Sequence, residues 1–407
     1  MKKNLLIAQS GGPTAAINAT LAGVVQTGLL SASVDKVLGA VNGIKGVYEG
    51  RLVDIGCQLS SPESMRLLMQ TPAAALGSCR LKMKSPEADP AFYEQITKVM
   101  LENNVGYFVY IGGNDSMDTV LKLSRYYKEK GIDIKVMGAP KTVDNDLCVT
   151  DHTPGFPSAA KYIGATLAEI VRDCHVYDIP AVTIVEIMGR DAGWLAASAC
   201  LARLNGCGGP QLIYLPEVPF DIDRFVEDVK KELEKNPAVV VAVSEGIRDE
   251  NGVYTAEANQ SGAVDAFGHK YLAGIAKYLE SVVRDRIGCK ARGIELNLPQ
   301  RCAAHILSAT DVEESRMQGA AAAERAISGF SGEMAAVKRI SSKPYRTEIT
   351  TVPIEQVANE VSSVPRSWIN EAGNDVTEEM VEYLYPLIQG ELNQIFENGL
   401  PKHISLY

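Results

Sequence analysis

The segment Pro140-Lys141-Thr142-Val143-Asp144-Asn145-Asp146 sets two carboxylates two residues apart, just after a short apolar run. One such carboxylate can take a proton from a substrate hydroxyl. The other can hold Mg²⁺, a hard cation that prefers oxygen ligands. Lys141 can neutralise phosphate charge. An Asx-turn-rich loop is the competing reading, but packing gives no reason for two acids beside a buried strand. Two other segments place a Gly-Gly pair between an apolar run and a helical pattern. They are Ser10-Gly11-Gly12-Pro13-Thr14 and Ile111-Gly112-Gly113-Asn114-Asp115-Ser116. Glycines there let backbone N–H groups approach an anion at a helix N-terminus. A tight turn at positive φ uses the same glycines. Asp115 suits either a metal or ligand contact or a helix N-cap. Two such turns in one chain are more telling than one.

Three weaker signals also follow apolar runs: Glu186-Ile187-Met188-Gly189-Arg190-Asp191-Ala192-Gly193, Ser244-Glu245-Gly246 and Gln300-Arg301. Alone, an Arg or Glu of this kind is usually solvated surface. The chain has no GxxxxGK[ST] loop and no HRD or DFG set, so it is neither a P-loop nucleotidase nor a protein kinase. HExxH, GxSxG and a post-strand GxGxxG are missing too. A phosphoryl-transfer site here would use Gly-Gly turns and a carboxylate pair.

These motifs need elements to hold them. Short apolar runs at 5–8, 107–111, 134–137, 182–187, 212–215, 239–243 and 294–296 read as strands buried on both faces. Helical patterns follow most of them, among them 15–30. This alternation predicts an α/β fold with mainly parallel sheets. Near the C-terminus, Asp375 reads as the N-cap of an amphipathic helix with apolar positions from Met380 to Phe396. Pro386 should kink or break it, and Gly399 and Pro401 should end it. That helix should pack on the second domain, with a dimer contact as the sharper reading.

Length and composition set bounds. The 407 residues suggest two or three domains, and 46% hydrophobic with 22% charged residues is ordinary for a globular chain. Forty basic against fifty acidic residues give a net charge of -10, with no basic run to bind nucleic acid. Eight scattered cysteines lack CxxC or zinc spacing, which fits reduced thiols in a cytoplasmic protein. The apolar run after Lys3 is too short for a signal peptide, and no stretch approaches a membrane span.

The ordered set GGPTAAINA, LGSCR, IGGNDS, PKTVDND, EIMGRDAGW, SEG and QR resembles the phosphofructokinase family, over residues of about 5 to 330. The resemblance implies the phosphofructokinase fold, two Rossmann-like α/β domains with mainly parallel sheets. It implies a phosphoryl-donor domain from 1–155 plus about 300–345, and a sugar-phosphate domain from 156–299 plus about 346–407. It also implies phosphoryl transfer to O1 of fructose 6-phosphate, with Mg²⁺ as cofactor, in a homodimer or homotetramer. Family members use ATP or pyrophosphate. Asp115 and Lys141 occupy the two donor-marking positions, and both resemble the pyrophosphate type. An aspartate at 115 would meet the α-phosphate of ATP. Two like charges ~4 Å apart at an effective dielectric of ~20 repel by ~4 kcal/mol, which is roughly a 10³-fold discrimination.

By the same resemblance, Asp144 is the general base and Lys141 stabilises the transferring group, with Asp115 beside them. Gly12, Arg80 and Lys82 join Asp115 and Lys141 around the diphosphate. Thr142, Asp144, Asp146, Met188, Gly189, Arg190, Glu245 and Arg301 match the sugar-phosphate positions. Asn114 and Asp146 face the metal. Three departures stand out. Asn114 replaces an aspartate. Leu298 stands where the family has an aromatic residue or His, so phosphate must be gripped by other groups, such as Arg292, or the substrate preference differs. Ala181 replaces an intersubunit Arg of allosteric members. An ATP-using or mixed-donor kinase, one acting on sedoheptulose 7-phosphate, and a non-catalytic sugar-phosphate sensor remain the alternatives.

Overall fold

The computed structural model describes residues 2–256, 274–357 and 361–407. Its larger sheet has the order β11-β10-β5-β4-β1-β2-β3. These are β1 (Lys3–Gln9), β2 (Val34–Ala40), β3 (Leu52–Asp54), β4 (Val105–Gly112), β5 (Lys135–Pro140), β10 (Glu333–Ser342) and β11 (Tyr345–Pro353). The four strands β2, β1, β4 and β5 run parallel, and β10 joins β5 in parallel. β3 and β11 close the edges in antiparallel pairing. Apolar clusters cover both faces, so the central strands read as continuous apolar runs. The smaller sheet is wholly parallel, in the order β7-β8-β6-β9. Its strands are β6 (Ala181–Ile187), β7 (Leu212–Tyr214), β8 (Ala238–Ser244) and β9 (Lys290–Glu295).

Strand order explains where a ligand can sit. β1 has β2 on one side and β4 on the other, so the crevice at their carboxyl ends is a topological switch point. Both Gly-Gly turns lie there. In the smaller sheet the neighbours of β6 are β8 and β9, and the 188–193 and 244–246 segments leave the carboxyl ends of β6 and β8.

The C-terminal reading needs correction. Asp375 is no N-cap. Its carboxylate is bound by Arg203 at 2.9 Å, and Thr377 precedes the Glu378–Leu384 helix. The helix tightens into a 3₁₀ turn at Tyr385–Ile388, where Pro386 lies, and does not continue to Phe396. Gly399 and Pro401 belong instead to a small hairpin of Phe396–Glu397 and Leu400–Pro401. Met380, Tyr383, Leu384 and Leu387 do pack on the smaller sheet's cluster. The last residues return to the larger sheet, where Leu406 is buried. β11 carries the chain in that sheet to Pro353, beyond the expected boundary near 345. The first helix starts at Ile17 rather than 15. None of the eight cysteines forms a disulfide. No described helix is long and apolar enough to cross a membrane.

Candidate active site

The turn after β1 is built to leave space. Gly11 has φ 77°, and a Cβ there would lie 3.1 Å from Lys141 Nζ. A Cβ on Gly12 would lie 3.3 Å from Arg301 Nη1. Both glycines thus admit a cation where a larger residue would displace it. Lys141 Nζ donates to the Gly12 carbonyl, and its backbone N–H donates to Gly112 O at 2.9 Å. This joins the ends of β1, β4 and β5. The Leu76–Arg80 stretch is stitched to the same turn, with Gly11 N–H donating to Cys79 O at 3.1 Å and Ser78 Oγ to Gly11 O at 2.6 Å. Arg80 is carried to the site by those bonds.

Loops of the smaller sheet face this group. Ser244 Oγ donates to Gly189 O at 2.6 Å, and Gly189 N–H to Glu245 Oε1 at 3.3 Å. Gln300 Oε1 accepts from Met188 N–H at 3.1 Å. That side-chain bond holds the Pro299–Cys302 turn, and with it Arg301, against the 188–193 loop.

One cavity of about 380 Å³ results. Gly12, Arg80, Asn114, Asp115, Lys141, Thr142, Asp144, Asp146, Met188, Arg190, Glu245 and Arg301 all line it. Lys82 does not; its Nζ lies 3.3 Å from Asp115 Oδ1. Gly189 supports Glu245 from behind. Leu298 is 57% exposed and lies outside the lining. Arg292 is also elsewhere, beside Tyr177 and Ala181 near the amino end of β6, so it cannot grip a phosphate in this cavity. Other lining residues carry no role assigned from sequence, among them Ser10, Asp191 and Val361. Ser10 and Asp191 lie inside motifs already singled out, whereas nothing local marks Val361.

The electrostatics suit anionic ligands beside a titratable carboxylate pair. Burial pushes Lys141 down to about 8, although Asp144 and Asp146 pull it up. Arg301 and Arg80 push the same amine further down. Burial raises Asp144, opposed by Lys141 and Arg190. Burial and then the charge of Asp144 raise Asp146. The same two causes push Glu245 up to about 7. Arg190 Nε is buried without a hydrogen-bond partner. Such perturbed groups converging in a cleft mark a reaction site.

Behind the carboxylate loop lies a second charged group. His152 is almost fully buried between Asp151 Oδ2 at 2.9 Å and Glu314 Oε2 at 2.8 Å. Arg339 holds Asp151, while Tyr345 and Thr347 donate to Glu314. Burial lowers the imidazole's pKa, but the two carboxylates outweigh it and push it up to about 9. A folded-state value above the unfolded one stabilises the fold fully below the unfolded pKa. The contribution, about 3 kcal/mol for a rise from 6.5 to about 9, is lost as pH climbs through that window. Melting temperature should therefore fall between pH 6.5 and 9, and His152→Gln should flatten that decline. A flat wild-type profile would show that His152 is neutral in the fold.

The family model described as "Phosphofructokinase" matches residues 4–324. The pyrophosphate--fructose 6-phosphate 1-phosphotransferase of Xanthomonas campestris pv. campestris is 43% identical, over 99% of this chain and 96% of its own length. The protein of the same name from Halomonas elongata is 40% identical over the same shares. A crystal structure of pyrophosphate-dependent phosphofructokinase from Nitrosospira multiformis is 36% identical, with a TM-score of 0.88 over 100% of this chain and 97% of that one. With the family model spanning most of its length, this chain belongs to the phosphofructokinase family.

Proposed function

We propose that this protein transfers a phosphoryl group reversibly from pyrophosphate to O1 of fructose 6-phosphate, giving fructose 1,6-bisphosphate and phosphate. One observation carries the reading: the donor-marking pair Asp115 and Lys141 lines the same cavity as Asp144 and Asp146. The relatives named for this reaction support it.

Asp144 accepts the proton of the 1-hydroxyl as O1 attacks the nearer phosphorus. The new O–P bond forms while the bridging P–O bond breaks, and phosphate leaves. Lys141 and Arg80 balance charge on the donor oxygens, with Gly12 beside them. Arg190, Arg301, Thr142, Met188 and Glu245 hold the sugar phosphate, with Gly189 supporting Glu245. No covalent intermediate is needed, so rate comes from position and charge. The domain of residues 1–155 and about 300–345 carries the donor groups and lends Thr142 and Arg301 to the sugar phosphate, which otherwise lies against the domain of 156–299 and about 346–407.

The donor set suits Mg²⁺. Two carboxylates are raised by burial, and an added cation would relieve them. Mg²⁺ keeps several waters and substrate phosphates as ligands, so a few protein oxygens suffice. Asp146 and the Asn114 oxygen would hold it. When bound, Mg²⁺ neutralises charge on the donor oxygens. A cytoplasmic homodimer or homotetramer belongs to the same reading.

Initial rates with fructose 6-phosphate and Mg²⁺, with either donor, test the proposal. Product is read through a coupled assay. Turnover with pyrophosphate and little with ATP is expected. Turnover with ATP alone would overturn the donor assignment. A mixed donor is the second reading, because Lys82 at 3.3 Å partly neutralises Asp115.

A further inference from the structure

The residue between the two cavity carboxylates turns the other way. Asn145 is 3% exposed, and its φ of 56° is left-handed. Asn tolerates that conformation better than most side chains. Asp144 and Asp146 line the cavity, while the Asn145 amide enters the protein. Its Nδ2 donates to the Tyr383 phenol oxygen at 2.9 Å. Its Oδ1 accepts from Thr153 N–H at 2.9 Å. Thr153 Oγ also donates to Thr142 O at 2.7 Å, so the loop is tied across its own base.

Tyr383 comes from the Glu378–Leu384 helix, 238 positions along the chain. Its hydroxyl donates onward to Asp151 O at 2.7 Å. Its ring packs against Trp194 and Trp368, with centroids at 5.3 and 5.4 Å, and the Arg339 guanidinium lies 4.6 Å from it. The anchor is thus immobile by packing. Each polar atom of the Asn145 amide meets a fixed partner, and the peptide units on either side of Asn145 carry the two acids.

We propose that Asn145 and Tyr383 are positioning residues for phosphoryl transfer: they fix the directions of the Asp144 and Asp146 carboxylates and touch neither substrate. The proposal rests on the reading of Asp144 and Asp146 given above. A purely structural pair would affect unfolding alone. A positioning pair changes kcat while leaving the KM for the sugar phosphate in place, because a small misplacement of a reacting group can cost about 10²-fold.

The test uses the full-length enzyme with Mg²⁺, fructose 6-phosphate and pyrophosphate. Asn145→Gly keeps the left-handed backbone and deletes the amide. Tyr383→Phe keeps the ring packing and deletes the hydroxyl. Expected are losses in kcat of roughly 10–100-fold for Asn145→Gly and a smaller loss for Tyr383→Phe. Sugar-phosphate KM and calorimetric binding should stay near wild type. The double variant should be little worse than Asn145→Gly alone, since both act through one linkage. Should Asn145→Gly fail to fold, Tyr383→Phe decides. Unchanged kcat in the folded variants, or losses that add independently, would overturn the proposal. Full activity in Asp144→Asn would instead overturn the reading beneath it.

Discussion

Asp144→Asn should cut turnover by roughly 10²–10⁴-fold, the range of a general base, while fructose 6-phosphate still binds. The substitution keeps size and hydrogen-bonding capacity but removes the proton acceptor. Its backbone N–H already donates to Thr142 Oγ at 3.1 Å, so the loop has a local tie that the change leaves alone. Stability should move in the opposite direction from activity. Burial raises the Asp144 carboxyl, which means that its charged form is held at a cost to folding. Removing that charge also relieves Asp146, whose carboxyl Asp144 pushes up. The variant should therefore melt above wild type. Rapid-quench turnover, calorimetric binding of the sugar phosphate and thermal unfolding together check this. Retained turnover would remove Asp144 from the base role. Lost binding with lost turnover would make it a substrate anchor instead.

The combined change Asp115→Gly and Lys141→Gly should move the ratio of kcat/KM values toward ATP. Bare Coulomb repulsion at ~4 Å sets a ceiling of roughly 10³-fold. The structure lowers that figure. Lys82 sits 3.3 Å from Asp115, whose side chain is about one-third exposed, so counter-charge and solvent both weaken its field. A shift of roughly 10–100-fold is the realistic expectation for a screened charge. Absolute rates should fall with both donors, because losing Lys141 strips a cation from beside Asp144 and Asp146. The ratio, measured as initial rates at fixed Mg²⁺, is thus the informative quantity. An unchanged ratio would mean that donor choice is set by shape rather than by these two charges.

Much of the site was legible because its signals are local. An apolar run followed by Gly-Gly and a helical pattern specifies strand, turn and helix within about fifteen residues. The Pro140–Asp146 loop follows the same logic. Strands β1, β4, β5, β6, β7 and β8 are legible because each is buried between two layers and reads as apolar, whereas edge strand β9 is mostly half-buried or exposed and the 294–296 run meets only its last two residues. β10 and β11 were missed for the converse reason. They lie at or near the sheet edge, and β11 alternates half-buried and exposed residues with Thr, Glu and Arg among them. The C-terminal helix was overextended because apolar spacing alone cannot tell a continuing helix from a chain that packs apolar residues in irregular backbone.

Residue type and neighbours along the chain therefore determined the turns, the buried strands and the acidic loop. Partners far apart in sequence were decided only by the fold. Arg301 comes beside Gly12 from far along the chain. Lys82 closes on Asp115 rather than facing the cavity. Asn145, which reads as a loop residue, is anchored by Tyr383. Backbone preferences act over a few residues and are written in local sequence. Charge pairing and burial act through space, so they exist only once packing has brought the groups together.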